Sequence, residues 1–219
     1  MSEFLPPDQC QPPLQPSPDG GWDLEVALAD LAQPIDFDAV FGRKAPLEIE
    51  IGCGSGIFLA HEAAARPEVN FFGVERDKAE VYRAKDKWRR RNLLNTRILH
   101  CDAPFFMEDY VADACVDRCV ILFSDPWPKK RHHKRRLFQP RLLPILERVI
   151  KPGGRLFIKT DVTEYYDVMI ELFAGSKILE KVSDRRIDLV PEEGDIVTNF
   201  QRKALEKGHP IHAMEYVRA

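Results

Sequence analysis

Acidic residues recur at one kind of position in this chain, directly after short apolar runs. The four residues that do so are Glu75, Asp102, Asp125 and Asp161. The runs before them are rich in Val, Ile, Leu and Phe, which is typical of strands buried on both faces. Because parallel strands end at one edge of a sheet, we expect the four carboxylates to lie close together there. Carboxylates at such an edge accept hydrogen bonds from the hydroxyl and amino groups of a ligand.

A glycine-rich loop precedes these acids in the chain. Its glycines are Gly52, Gly54 and Gly56. The loop follows an apolar run at 47–51, which contains Glu50, and leads into a helical pattern at 57–65. A strand, a glycine loop and a helix start form a cradle in which backbone groups approach a ligand closely. The third glycine of the dinucleotide-binding pattern would fall at Ile57, and this departure disfavours NAD.

The acids and the glycine loop allow two interpretations. Any one acid alone is explained equally well as a helix cap or a solvated loop residue. All of them beside a glycine loop are better explained as acceptors for ribose hydroxyls and an adenine amino group. S-adenosylmethionine carries those groups, together with a cationic sulfonium and an α-amino group. We therefore predict S-adenosylmethionine as the cofactor.

A cationic segment follows Asp125. Residues 129–136 contain six Lys or Arg and two His. This density suggests contact with nucleic-acid phosphates, and the alternative is a solvated charged run. Trp127, which lies between two prolines, is predicted either to stack on an extruded base or to anchor the loop on the core. His132 and His133 have no third ligand at a suitable spacing, so we predict no metal.

Composition narrows the setting in which the protein works. The net charge of the 219 residues is −3, yet twelve of the 32 Lys and Arg lie within 83–91 and 129–136, which indicates a local docking face. Five cysteines without a C-x-x-C spacing argue against a disulfide framework or a zinc site. The chain has no apolar run near the ~20 residues of a membrane span and no signal-peptide pattern. We expect a cytoplasmic protein that is a monomer or a small homo-oligomer.

The order of the apolar patterns predicts the fold. Residues 1–21 are rich in proline and predict a flexible tail before one domain at 22–219. Helices are predicted at 22–31, 57–65, 77–91, 137–150, 163–174 and 199–207. Strands are predicted at 47–51, 70–74, 96–101, 119–124, 155–160, 177–182 and 212–218. This alternation predicts an α/β fold with a mostly parallel, doubly wound sheet of seven strands and helices on both faces.

Several motifs resemble those of known families. EIGCGSG at 50–56 and the acid at 75 resemble class I S-adenosylmethionine-dependent methyltransferases, which implies a Rossmann-like fold. Three further motifs resemble the bacterial tRNA (guanine-N7)-methyltransferase family over about residues 37–218. They are SDPWPKKRHHKRRL at 124–137, KTD at 159–161 and TNFQRKALEKG at 198–208.

The resemblance implies roles for individual residues. Cofactor contacts are implied at Glu50, Glu75, Asp102 and Asp125, beside the three glycines of the loop. Substrate contacts are implied at Lys129, Asp161, Thr198, Asn199, Phe200 and Gln201. RNA contacts are implied at Arg131, His132, His133, Lys134, Arg135 and Arg136. In one departure, this chain has Gln201 where the family usually has Glu.

The implied activity is transfer of a methyl group from S-adenosylmethionine to N7 of a guanosine in the variable loop of tRNA. Guanine N7 is an exposed acceptor that attacks without losing a proton, so no general base is required. Positioning and electrostatics then carry the catalysis. Asp125 is the expected catalytic residue, because a carboxylate beside the base stabilises the positive charge that methylation leaves. The alternatives are the same chemistry on another RNA, or a tRNA-binding protein that keeps the cofactor pocket without turnover.

Overall fold

Eight strands form a single sheet in a computed structural model of the chain, which describes residues 23–188 and 195–219. The strands are β1 (Glu25–Val26), β2 (Leu47–Ile51), β3 (Asn70–Glu75), β4 (Thr96–His100), β5 (Val116–Leu122), β6 (Ile150–Thr160), β7 (Leu179–Ile187) and β8 (Ile211–Arg218). Their order across the sheet is β1-β4-β3-β2-β5-β6-β8-β7. Strand β8 runs antiparallel to its neighbours β6 and β7, and every other pair is parallel. The prediction of a mostly parallel sheet is confirmed.

Helices cover both faces of this sheet, as predicted. They are α1 (Phe37–Phe41), α2 (Ile57–Ala65), α3 (Lys78–Arg90), α4 (Ala103–Asp109), α5 (Leu142–Val149), α6 (Thr163–Ala174) and α7 (Asn199–Glu206). One hydrophobic core includes residues of α1, α4, α5 and α6, and a second includes residues of α2, α3 and α7. On β5, Cys119 and Ile121 belong to the first core, whereas Val120 and Leu122 belong to the second. A strand covered on both faces is apolar at successive positions, which is why the run at 119–122 in β5 predicts burial.

Strand β2 departs from this rule and carries two carboxylates into the interior. Glu48 and Glu50 alternate with Ile49 and Ile51, and all four side chains are buried. Glu48 forms ion pairs with Arg66 and with Arg118, the latter at 3.5 Å. Glu50 has no ion pair among the described residues. A buried carboxylate without a cation is costly, so its place at the end of β2 calls for a functional explanation.

The prediction of a helix at 22–31 is wrong for residues 23–31, the part of that segment that the structure describes. Residues 25–26 form β1, parallel to β4, and a 3-10 turn follows at Leu28–Asp30. Leu24 and Val26 are buried, whereas Glu25 between them pairs with Lys85 at 2.5 Å. That alternation has the two-residue period of a strand. The sheet therefore has eight strands where seven were predicted.

Three helices also differ from the sequence predictions. Helix α1 lies where no helix was predicted, and Asp36 caps it by accepting from Ala39 N at 3.1 Å. Helix α4 was not predicted, although Asp102 caps its first turn. The helix predicted at 137–150 begins only at Leu142. The side chain of Gln139 donates to two carbonyls of the basic run at 2.7 Å each, and this holds the preceding residues as a loop.

The predicted tail at 1–21 lies outside the described residues. In residues 23–188 and 195–219, no helix combines the length and the apolar character that a membrane span requires.

Candidate active site

A cleft of about 1040 Å³ opens at the carboxyl edge of the parallel strands. Its walls include predicted site residues from five parts of the chain, namely Glu50, Gly52, Gly54, Glu75, Asp102, Asp125, Thr198, Asn199 and Phe200. Asp161 follows β6 and does not line the cleft; its carboxylate lies 3.9 Å from His209 Nδ1. The structure thus brings together three of the four strand-end acids with the glycine loop.

The glycine loop presents open backbone to the cleft. Gly52 and Gly54 have φ of +71° and +51°, and a Cβ added to either would meet no atom within 4 Å. Gly56 does not line the cleft, because it packs on Trp88: an added Cβ would lie 2.6 Å from the indole ring. Trp88 Nε1 also donates to the Gly56 carbonyl at 2.8 Å. The loop is therefore fixed from behind by α3, and its open side forms a cradle for a ligand.

Glu75 holds this loop in place. Its carboxylate accepts from the backbone N–H of Gly54 at 2.8 Å, of Arg76 at 2.7 Å and of Asp77 at 2.8 Å. A carboxylate has about four acceptor positions, so three are used within the protein. Glu75 can therefore bind a ribose hydroxyl and at the same time fix the loop beside that ribose.

Glu50 is a buried carboxylate in the cleft wall. It is only 3% exposed, and its Oε2 has no hydrogen-bond partner among the described residues. Burial raises the pKa of this carboxyl well above its usual range, and the nearby carboxylates of Glu75 and Glu62 raise it further. A buried, unpaired acceptor beside an open glycine cradle fits the cationic amino acid end of S-adenosylmethionine.

The loop after β5 places Asp125 at the mouth of the cleft. Phe123 and Trp127 on either side of it have positive φ, at 52° and 41°, a conformation that bulky residues rarely adopt. Strain of this kind often accompanies a functional site. Asp125 itself is exposed and makes no hydrogen bond or ion pair with the described residues. Its carboxylate is therefore available to a ligand.

Arg136 differs from the other Lys and Arg of the basic run in being buried. It is 6% exposed, and it donates to the Pro126 carbonyl at 2.7 Å and to Glu164 at 3.2 Å. Its guanidinium also lies 5.1 Å from the Tyr165 ring. These contacts hold the loop that carries Asp125, and the RNA contact of Arg136, which also lines the cleft, stays a prediction.

The rest of the basic run forms a 3-10 turn at Lys130–Arg135 along the rim of the cleft. Its exposed cationic residues, together with the residue before the turn, are Lys129, Lys130, Arg131, Lys134 and Arg135. His132 and His133 are half-buried. The described residues hold no group of His, Cys, Asp or Glu that could bind a metal ion.

Trp127 is covered by its own loop. The guanidinium of Arg135 lies 5.0 Å from its ring, and His132 packs edge-to-face with ring centroids 5.8 Å apart. These contacts favour the loop-anchor interpretation of Trp127. Trp127 is half-buried and still lines the cleft, whereas Phe200, which lines it too, is 61% exposed.

Residues at the start of α7 form the opposite wall. Thr198 caps the helix by accepting from Gln201 N at 3.2 Å. Asn199 and Phe200 are exposed at the cleft, whereas Gln201 is fully buried behind them. Gln201 was predicted to contact substrate, and the structure instead turns its side chain towards β6.

Sequence reasoning missed four exposed cations that line the cleft, namely Arg76, Lys78, Arg141 and Lys203. Arg141 and Lys203 are exposed, line the cleft and have no ion pair among the described residues. Lys203 lies within the segment 198–208 that carries the family resemblance, so a closer examination of that motif could have found it. No motif or spacing in the sequence distinguishes Arg141 from other surface arginines.

Comparisons with known proteins agree with this geometry. A family model described as "Putative methyltransferase" matches residues 44–214. A tRNA (guanine-N(7)-)-methyltransferase of Cupriavidus necator is 42% identical over 181 residues, which are 82% of this chain and 68% of the relative. One from Pseudomonas aeruginosa strain UCBPP-PA14 is 38% identical over 202 residues, 91% of this chain and 82% of the relative. The solved 16S rRNA methyltransferase KamB has a TM-score of 0.61 at 14% identity over 84% of this chain and 92% of its own, which shows a shared fold.

Proposed function

The chain belongs to the tRNA (guanine-N(7)-)-methyltransferase family, and from this premise we propose that it methylates N7 of a guanosine in the variable loop of tRNA. S-adenosylmethionine supplies the methyl group as an electrophile on its sulfonium. The N7 lone pair needs no deprotonation, so the protein has to position the base, exclude water and balance charge. We place this reaction in the cytoplasm, in a monomer or small homo-oligomer.

The cofactor site is proposed on the glycine cradle. Glu50 is suited to the α-amino group, because its buried Oε2 has no hydrogen-bond donor among the described residues. Glu75 is suited to a ribose hydroxyl, and Asp102 to the adenine amino group at the end of β4. Gly52 and Gly54 let the backbone approach the ligand without a side chain between them.

The target base is proposed to lie between Asp125 and the start of α7. Phe200 offers an exposed aromatic face for stacking, a contact typically worth ~1–3 kcal/mol per base. Thr198 and Asn199 flank it and can contact the base edge. Asp125, exposed and unpaired in the described part of the chain, stabilises the positive charge that forms on the guanine ring.

The backbone of the tRNA is proposed to follow the rim of the cleft. The exposed cations of the basic turn lie on one side, and Arg141 and Lys203 extend them around the mouth. Such contacts supply affinity and orientation rather than base selection. Asp161 and Lys129 remain proposed substrate contacts beyond the cleft wall, and His132 and His133 proposed RNA contacts.

The observation that carries the proposal is the position of Asp125. A carboxylate with no partner in the described structure faces an open cofactor cradle, beside an exposed aromatic ring and a cationic rim. A protein that only bound RNA would gain nothing from a free carboxylate next to phosphates, which it would repel. This arrangement favours turnover over the binding-protein alternative.

The test is methyl transfer from labelled S-adenosylmethionine to bulk tRNA, followed by nucleoside analysis. We expect the label in 7-methylguanosine, and mapping of the modified tRNA should place it in the variable loop. Label in ribosomal RNA but not in tRNA would favour the same chemistry on another RNA. Stoichiometric binding of cofactor and tRNA without transfer would favour the binding protein.

A further inference from the structure

A buried lysine lies directly behind the wall that α7 contributes to the cleft. Lys159, on β6, is 3% exposed. Its ammonium forms an ion pair with Asp195 and with no other residue in the described part of the chain. It also donates to Gln201 Oε1 at 3.2 Å. Burial lowers the pKa of Lys159, and the bond to Asp195 opposes that effect. The pair keeps a charge inside the protein that would otherwise be costly.

Gln201 closes this pair into a triad. Its Nε2 donates to Asp195 Oδ2 at 2.6 Å while its Oε1 accepts from Lys159. The amide fits in this orientation only, because the reverse would set its NH₂ against the ammonium and its oxygen against the carboxylate. The triad has one positive and one negative charge, so it is neutral as a whole. Because residue 201 is a neutral amide, the carboxylate that neutralises Lys159 has to come from residue 195.

The triad connects β6 to the residues that face the proposed target base. Asp195 lies three residues before Thr198, and Gln201 lies directly after Phe200. The backbone N–H of Gln201 donates to Thr198 Oγ1, so the cap of α7 and the triad share one residue. On the other side, the Lys159 carbonyl accepts from Phe123 N at 2.8 Å, which ties the same network to the loop that carries Asp125.

We propose that Asp195 is a positioning residue for the methyl acceptor. By neutralising Lys159 and orienting Gln201, it holds Thr198, Asn199 and Phe200 at the distance from Asp125 that the base requires. This inference rests on the proposed function. It gives the residue at 201 an indirect role, because the triad turns Gln201 away from the cleft.

The test exchanges the carboxylate between the two positions. Asp195→Asn leaves the buried ammonium of Lys159 without a counter-charge. Gln201→Glu sets a second carboxylate against that of Asp195, because Gln201 Nε2 and Asp195 Oδ2 lie 2.6 Å apart in the native protein. Asp195→Asn/Gln201→Glu restores neutrality, since Glu at 201 can accept from Lys159 and from an Asn amide at 195. Asp113→Asn is the matched control, because Asp113 is exposed and forms an ordinary surface pair with Arg148.

The rates are measured in single turnovers on tRNA at saturating cofactor. We expect each single change to slow methylation by about tenfold or more, as breaking a buried pair is costly. The exchanged double variant should recover to within about threefold of wild type, with cofactor affinity nearly constant in all four proteins. A wild-type rate in Asp195→Asn, or a folded double variant no faster than the singles, would overturn the proposal. If Asp195→Asn does not fold, the test is whether the double variant methylates tRNA faster than Gln201→Glu alone.

Amide hydrogen exchange separates this inference from the proposed function. We expect Asp195→Asn to speed exchange across α7, the exchanged double variant to restore protection, and Asp113→Asn to leave it unchanged. A wild-type protein that transfers no methyl group to tRNA would refute the proposed function, and the exchange pattern would still report whether the triad orders α7. Unchanged exchange in Asp195→Asn would refute the triad's ordering role whatever the activity.

Discussion

The rings of Phe123 and Phe200 stack with centroids 6.4 Å apart and planes 16° apart. Phe123 lies at the end of β5 and is buried, whereas Phe200 at the start of α7 is largely exposed. The contact therefore joins the loop that carries Asp125 to the opposite wall of the cleft. It also gives Phe200 a rigid support, so that its exposed surface is presented to a base at little further cost in side-chain entropy.

Phe200→Ala should weaken productive tRNA binding. Loss of a base–aromatic stack costs ~1–3 kcal/mol, so we expect kcat/KM for tRNA to fall by roughly one to two decades. Phe200→Tyr keeps the ring and should stay near wild type. The measurement is initial-rate kinetics with varied tRNA at saturating cofactor.

The matched control for this change is Tyr82→Ala. Tyr82 is 52% exposed but lies on α3, outside the lining of the cleft. It should leave kcat/KM nearly unchanged. If Trp127→Ala lowered kcat/KM without loss of stability and Phe200→Ala did not, the stacking role would return to Trp127.

Glu50→Gln should stabilise the fold at high pH and weaken the binding of S-adenosylmethionine. Because burial raises the pKa of Glu50, the folded protein holds that proton more tightly than the unfolded chain does. The resulting stability is complete below the carboxyl pKa of the unfolded chain and is lost as the pH rises through the higher folded pKa. Gln stays neutral and avoids that loss. We expect equal stability of the two proteins near pH 4 and a more stable variant at about pH 8.

The same variant should bind S-adenosylmethionine about 10- to 100-fold more weakly, because a charge-assisted hydrogen bond becomes a neutral one or is lost. Urea unfolding without cofactor gives the stabilities, and calorimetry at about pH 8 gives the affinity. A variant that is less stable at both pH values, or binds as tightly as wild type, would remove Glu50 from the cofactor site.

The exposed lysines of the basic run should set the salt dependence of tRNA binding. Lys129→Ala/Lys130→Ala/Lys134→Ala removes three cations that have no ion pair in the described structure. If all three contact phosphates, the slope of log affinity against log salt should fall by roughly two to three units. Cofactor affinity should stay constant. Filter binding across a series of salt concentrations gives the slope.

A second triple variant tests whether the effect is local. Lys44, Lys151 and Arg155 lie at the opposite edge of the sheet, where the latter two form surface ion pairs. Their replacement by Ala should leave the slope unchanged. Equal slopes for wild type and the first triple variant would show that the basic run does not contact phosphates.

The sequence predicted the edge of the sheet at which the cleft forms, because the order of strands and helices follows from the periodicity of the apolar residues. Alternating strands and helices put the ends of β3, β4 and β5 together, so Glu75, Asp102 and Asp125 had to converge. The loop conformation around Asp125 was not predictable in the same way. Nothing in a run of six Lys and Arg distinguishes Arg136, which is buried under the loop, from its exposed neighbours.

The role of Gln201 was hidden for a related reason. A motif gives a residue's position along the helix, but the direction of its side chain depends on what packs against it. Here Lys159 and Asp195 draw the amide inwards, and Asp195 belongs to no motif in the sequence. The eighth strand escaped prediction because its alternation covers only three residues, and its pairing with β4 is what defines it as a strand.

Asp125→Ala should nearly abolish methyl transfer while leaving the fold intact, since the side chain is exposed and has no partner in the described structure. Removing one preorganised electrostatic contact to a transition state typically costs about 10²–10³ in rate. Asp125→Asn keeps the shape but not the charge, so it should be about as slow as Asp125→Ala if charge stabilisation is the role. Both are measured in single turnovers at saturating cofactor, so that weaker cofactor binding does not appear as slower chemistry. Asp113→Ala is the control for loss of an exposed carboxylate. Near-normal rates in Asp125→Asn would assign Asp125 a hydrogen-bonding role, and near-normal rates in Asp125→Ala would place the reacting base elsewhere in the cleft.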